Sequence, residues 1–477
     1  MKKSIILALS AILVVSSATS CVKEFLDIKP RGSDVATKIE HYQGLLSSQN
    51  FMSYTSPTYF HMGEELCGDA KTLERIQSSE KDKGLFAFKF DRDPFQSEDA
   101  CYEWEIPYAR IYTCNFIIAN VMNAETGTDA EKKEILAEAR MHRAFYHYFA
   151  SIMFSKHYDA ATAATDLAVP IVTKAETEPT VKYERATVKT LFDWVINEMK
   201  ESLPDLPDAW KNNSRCTKAA GNMMLGKVYW YMGDYQNALT HLRQAVTLTK
   251  NLKGSPVTFN SYRNNHSAWY NASKKYYTSY TTNGYNPESL LLKYIISTTM
   301  VSATSAAFHY VKTEYVQMYG EGDLRAYLLA PSTTDATMMR PVARTDHNFC
   351  GDLPDLYMML AECEARVGSE SDARSLMLEY RKARFDTDEH AAIPASVSSK
   401  EDLIKFIVNE RTLEYIARGV SVIDMKRLWN DPLFASKKAN FTHPIKGGDT
   451  YSVTSEDQLT WKIPIKVFKF HPEWQNN

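Results

Sequence analysis

Flat rings crowd one stretch of this 477-residue chain. Phe259, Tyr262, Trp269, Tyr270, Tyr276, Tyr277, Tyr280 and Tyr285 are interleaved with Asn260, Asn264, Asn265, Asn271, Asn283 and Asn286, and Arg263 and Lys274 lie among them. Rings beside amides suit a sugar. The C–H face of a pyranose stacks on an aromatic ring, and its hydroxyls exchange hydrogen bonds with carboxamides and charged groups. Trp269, Tyr270, Tyr276, Tyr277 and Tyr280 are therefore the candidate stacking platforms. A Tyr-rich hairpin packed on a larger body would show the same composition. The loop around Phe90 and Phe95 is a second candidate.

Nothing in the pattern points to catalysis. There is no Gly-rich dinucleotide turn, P-loop, HExxH or GxSxG. His61-Met62-Gly63-Glu64-Glu65 lacks the second histidine of a zinc motif. His142 and His147, five apart on one predicted helix, diverge by about 140° and read as ordinary half-buried histidines. Asp91/Asp93 and Glu64/Glu65 read as solvated or turn carboxylates. Cys67, Cys101, Cys114, Cys216, Cys350 and Cys363 contain no CxxC pair, so most read as buried thiols and no metal or cofactor is expected.

A net charge of −3 offers no basic field, which disfavours nucleic acid as a partner. The N-terminus is distinctive. Lys2 and Lys3, an apolar run from Ile5 to Val15, and small residues lead to Cys21, the layout of a secretory leader. A cysteine directly after the cleavage site can become the acylated first residue of a bacterial lipoprotein, and several acyl chains make a lasting anchor. Ala18 stands where a strict lipobox prefers Leu. The expected division is a signal peptide at 1–20, a lipid-anchored tether at 21–36 and one domain at 37–477. No second stretch approaches the ~20 apolar residues of a membrane-spanning helix.

The elements that must position these residues are mostly helices, so the expected fold class is mainly α. Apolar spacing predicts helices over 103–122, 129–154, 187–203 and 398–418, with N-caps at Thr128 or Asp129 and at Thr187, and a capping box of Ser398 with Glu401. Between 219 and 249, Leu225-Gly226-x-x-Tyr229, a Gly233-Asp234 turn, Ala238 and Ala245 resemble a tetratricopeptide helix pair. A weaker echo runs over 354–384. Glu410 shares the apolar face of the 398–418 helix, so it should be buried in an ion pair, with Arg411, Arg418 or Arg427 as partner. From about 255 to 350 the helical rhythm gives way to loops and short strands.

In this order along the chain, the motifs resemble those of the SusD/RagB family of Bacteroidetes outer-membrane lipoproteins. Phe25-Leu26-Asp27-Ile28-Lys29-Pro30 after Cys21 is similar to the family's opening, and Trp104, Tyr108, Ile111 and Asn115 to its early helix. Glu138 to Tyr146, Asp323-Leu324-Arg325, Leu356 to Arg384, and Ile463-Pro464 each have a counterpart there. The most specific match is Asn409-Glu410-Arg411-Thr412-Leu413-Glu414 with Gly419, Asp424, Arg427 and Trp429. Departures fall at Thr412, Arg418 and Val420-Ser421, where the family usually carries Arg, Glu and a basic pair. The resemblance implies tetratricopeptide-like helix pairs with a loop-rich subdomain and few short strands. It also implies a surface-exposed, non-enzymatic lipoprotein that captures oligosaccharide beside a TonB-dependent SusC-like transporter and touches the membrane only through its anchor. A non-sugar nutrient, or a purely structural cap on the transporter, is the alternative. The family shares its scaffold rather than its binding residues, so the ligand residues rest on the aromatic stretch alone.

Overall fold

The computed structural model describes residues 36–476 apart from 56, 177–180, 210–212, 253–255, 279–285, 297–308 and 343–345. The leader, Cys21, nearly all of the tether, and Tyr280 lie outside the described residues. The principal helices are α1 Ile39–Ser47, α2 Ala70–Phe88, α3 Tyr102–Asn120, α4 Asp129–Phe154, α5 Val188–Ser202, α6 Lys218–Tyr231, α7 Tyr235–Lys250, α8 Tyr262–Trp269, α9 Leu353–Val367, α10 Glu370–Lys382, α11 Lys400–Glu414 and α12 Val420–Arg427.

Side chains set where these helices begin. Thr128 Oγ accepts the Glu131 N–H, and the Glu131 carboxylate accepts the Thr128 N–H in return, closing a capping box at α4. Thr187 caps α5 in the same way from one side. α11 begins one residue later than predicted. Its box is Ser399 with Asp402, not Ser398 with Glu401, because Ser399 is the residue whose hydroxyl faces the free N–H groups.

α3 packs on α4, α6 on α7, and α9 on α10, so neighbouring helices form hairpins. The α6/α7 hairpin matches the expected repeat-like unit. Gly233 turns the chain at φ +79°, and a Cβ on Gly226 would lie 2.7 Å from the Leu242 side chain, so the two helices cross at a glycine. α7 and α11 both pack against α9, joining the hairpins. One large core runs under α3 to α7, and a second, built from Met358, Ala361, Met377, Tyr380, Leu403 and Ile407, lies under α9 to α11.

Eleven short strands occur among the described residues: β1 Ser53–Thr55, β2 Leu66–Asp69, β3 Tyr270–Asn271, β4 Tyr276–Tyr277, β5 Tyr294–Ile296, β6 Tyr310–Val311, β7 Leu329–Pro331, β8 Met339–Pro341, β9 Asp346–Asn348, β10 Thr442–Lys446 and β11 Thr450–Ser452. The order β11-β10-β2-β6-β8-β7 ties the C-terminal stretch and the middle region to one sheet, β1-β5-β9 forms another, and β3-β4 stands as a hairpin. The described residues of the 255–350 region are thus mostly short strand and loop, with α8 as an eight-residue helix capped by Ser261 and short helical turns at Thr313–Val316 and Leu324–Leu328.

Candidate functional site

α8 runs directly into the β3–β4 hairpin, which pairs Tyr270 with Tyr277 and Asn271 with Tyr276. Asn271 Oδ1 accepts the Lys274 N–H in the turn, and Lys275 takes the left-handed φ of 63° that closes it. The predicted rings divide into two sets. Trp269 is 8% exposed and Tyr277 0%. With Tyr262, Leu324 and Leu328 they make a small core of their own, Trp269 meeting Tyr262 edge-on at 5.3 Å and Tyr277 at 5.6 Å. The Tyr277 hydroxyl lies 3.0 Å from His266 Nδ1. The faces of these two rings are spent on protein contacts, which corrects the expectation that they are stacking platforms; they are the support beneath the hairpin. Tyr270 and Tyr276 are half-buried and keep surface to offer. Tyr270 is stacked on His266 at 5.0 Å and meets Tyr327 edge-on at 4.9 Å. His266 and Tyr327 were missed from the sequence, although His266 stands four residues before Tyr270 on a helical spacing. The second candidate loop is closed. Phe90 and Phe95 are buried, Phe90 on His443 at 4.2 Å and Phe95 edge-on to Trp461 at 5.4 Å.

The residues of the most specific motif serve the scaffold. Glu410 is buried in an ion pair as expected, but its partners are Arg381, which bonds Oε1, and Arg325, 2.8 Å from Oε2. Successive helical side chains diverge by about 100°, so Arg411 faces elsewhere and bonds Asp355 and Asp424. Arg427 bridges Asp424 at 2.7 Å and Glu362 at 2.8 Å. The Trp230 ring has the Arg411 guanidinium carbon at 5.0 Å and that of Arg427 at 3.9 Å, and its indole N–H donates to Glu362 at 2.9 Å. Arg384 joins Glu288 at 2.8 Å to Glu414 at 2.9 Å. Burial alone would raise the Asp355 carboxyl, but Arg411 and Lys227 outweigh it and hold it below the ordinary range. These charges are buried and face one another across the helix contacts rather than a surface open to a ligand.

Other candidates are also structural. Glu64 and Glu65 are fully buried rather than solvated. Lys437 Nζ lies 2.6 Å from Glu64, while Glu65 accepts from the Ser421 hydroxyl at 2.6 Å and the Ala417 N–H at 2.8 Å. His142 and His147 are fully rather than half buried, and His147 is held between the Arg143 carbonyl and the Val172 N–H. Five of the cysteines are buried free thiols and Cys67 is half-buried. Among the described residues no three His, Cys, Asp or Glu side chains gather as metal ligands, and no helix is long and apolar enough to cross a membrane.

Helical hairpins fastened by a buried charge network, with a looped subdomain carrying an aromatic hairpin, define the class of protein. Residues 24–230 match the SusD-like family described as "Starch-binding associating with outer membrane", and residues 353–471 match the SusD family. The chain belongs to the SusD/RagB family. The overall fold is similar to surface glycan-binding protein A from Bacteroides uniformis, with 16% identity, 92% of this chain and 99% of that one covered, and a TM-score of 0.68. A SusD superfamily protein from Bacteroides thetaiotaomicron gives 17%, 92%, 99% and 0.67, and a laminarin-binding SusD-like protein 15%, 91%, 98% and 0.58. No curated protein matches significantly in sequence.

Proposed function

We propose that this chain is a non-enzymatic, glycan-binding lipoprotein of the outer-membrane surface that passes oligosaccharide to a partner TonB-dependent SusC-like transporter. Family membership supports the setting, and two similar structures are named for glycan or laminarin binding. The observation that carries the ligand class is the hairpin. Half-buried Tyr270 packs on the cluster of buried rings beside its cross-strand partner Tyr277, and half-buried Tyr276 lies on the other face of the hairpin, cross-strand from Asn271. Preorganised rings lose little entropy on stacking against a sugar. In this reading residues 1–20 are removed, Cys21 bears the acyl chains, 21–36 form the tether, 37–477 form the binding domain and Tyr280 is a further ligand-binding residue.

Calorimetry against a panel of polysaccharides tests the site. Tyr270→Ala combined with Tyr276→Ala is expected to weaken the recognised glycan about tenfold or more. Unchanged affinity overturns the assignment. The anchor has its own check: Cys21→Ala should abolish incorporation of labelled palmitate in cells, and persistent labelling removes the lipoprotein reading.

A further inference from the structure

Between α11 and the 3-10 segment Pro432–Asn440 the surface opens into a cavity of about 490 Å³. That volume is usual for small-molecule sites. Its apolar side is Tyr315, Leu433 and Phe434, with Tyr315 and Phe434 buried into the body of the protein. Its polar side is Lys405 and Asn409, four residues apart on one face of α11, together with Ser436 and Asn440.

Among the described residues none of those four polar side chains makes a side-chain hydrogen bond or ion pair with another protein group, although the Lys405 charge acts on Asp402 one turn back on α11. Every charged neighbour of theirs on α11 that faces inward, Glu410, Arg411 and Glu414, is fully paired. The contrast falls on one helix: its inner face is saturated, while Asn409, half-buried, has a carboxamide with no partner among the described residues. Lys437 also lines the cavity, but its charge is committed to Glu64 at 2.6 Å. Glu314 lies on the rim with Lys312 Nζ 3.6 Å away. What remains free is two carboxamides and a hydroxyl, which both donate and accept, and a lysine ammonium engaged in no ion pair.

That set complements several hydroxyls and one negative charge on a ring small enough for the cavity. We infer that the cavity is a second saccharide subsite, for a single glycosyl unit carrying one carboxylate: a hexuronate residue of an acidic glycan. The inference takes its ligand class from the carbohydrate-binding reading above but shares no residue with the aromatic hairpin. In the bound arrangement the carboxylate meets Lys405, the ring hydroxyls pair with Asn409, Asn440 and Ser436, and the C–H face lies toward Leu433 and Phe434.

Titration calorimetry of the full mature domain with trimers of galacturonate, glucuronate and mannuronate, beside neutral hexose trimers, tests this. At least one uronate trimer should bind. Lys405→Gln should weaken it about tenfold, in line with a hydrogen bond to a charged group, and leave neutral trimers unchanged within about twofold. Asn409→Ala should weaken the same trimer with the melting temperature of the wild type, since the carboxamide it removes bonds no described group of the protein. Loss of uronate binding in these variants, with retention in the Tyr270/Tyr276 double variant, supports the subsite. If no uronate trimer binds, or if neither Lys405→Gln nor Asn409→Ala changes its affinity, the subsite is overturned. The hairpin reading survives that result if the tyrosine variants still lose a neutral glycan.

Discussion

A carboxylate held between two guanidiniums in a protein interior leaves little room for substitution. Glu410 ties Arg381 on α10 to Arg325 in the middle region, and Arg325 is held a second time by Asp323 at 2.6 Å. Glu410→Ala would leave both arginines under-compensated in a place with almost no water. The expected cost is about 3–5 kcal/mol, read as a lower urea midpoint at an unchanged slope. If the variant keeps wild-type stability, Glu410 is not structural and a ligand role returns. The burial of Glu410 was legible in the sequence because its helical face is apolar. Its partners were not, since Arg381 lies 29 residues away and reaches it only once α10 and α11 are packed. The aromatic stretch shows the same division. Its composition marked the hairpin, but which rings face inward depends on where β3 and β4 begin. A strand alternates its faces with period two, so that start decides everything. Tyr277 and its cross-strand partner Tyr270 turn toward the buried rings and Tyr276 turns away, while Trp269 reaches the same core as the last residue of α8.

Helices carried their own signals, and the sheets did not. α4 and α5 begin where Thr128 and Thr187 stand, because a capping hydroxyl is a local feature that needs only the next three residues. The α6/α7 hairpin was legible for an equally local reason, small residues where two helices cross. Gly226→Val tests that crossing directly. The added carbons would meet the Leu242 side chain, whose nearest atoms lie 2.7 Å from where a Cβ on Gly226 would sit. The α6/α7 contact would have to open, at an expected cost of about 1–3 kcal/mol, and Leu242→Ala in the same chain should recover part of it. Absence of any loss would mean that the two helices have slack. By contrast β2 pairs with β10 and β6, segments hundreds of residues apart and two to five residues long. No local period in strands so short can announce such a partner.

The molecule as a whole is assembled on buried groups that titrate, and this gives it a pH profile. His61, His142 and His147 are fully buried and neutral, with burial lowering His142 to about 4 and His61 and His147 to about 3. The unfolded chain takes up protons at these sites once the pH drops below about 6.5, whereas the folded chain does not. Stability therefore falls as pH is lowered from 6.5 toward 4. Glu103 acts in the opposite sense. Burial raises it to about 7, so the folded protein holds a proton that the unfolded chain has already released, and stability falls as pH rises from 4.5 to 7. Burial lowers His157 and His443 as well, each to about 4, so the histidines outweigh Glu103 and the net expectation is a protein less stable at pH 5 than at pH 7. His142 is the cleanest of them to remove, because its ring nitrogens make no hydrogen bond among the described residues. Glu138 lies 3.6 Å from it and favours the cation, while burial and the Lys293 charge oppose it. With His142→Gln, the slope of unfolding free energy against pH between 5 and 6 should flatten by one proton's worth, about 1.4 kcal/mol per pH unit. Glu103→Gln should steepen that same slope, since it removes one of the carboxyls, with Glu65 and Asp323, that burial raises and that oppose the histidines. Denaturant melts at pH 5, 5.5, 6 and 7 measure both. Parallel slopes for wild type and His142→Gln would show that this histidine is already protonated in the folded protein and pairs with Glu138 as a cation.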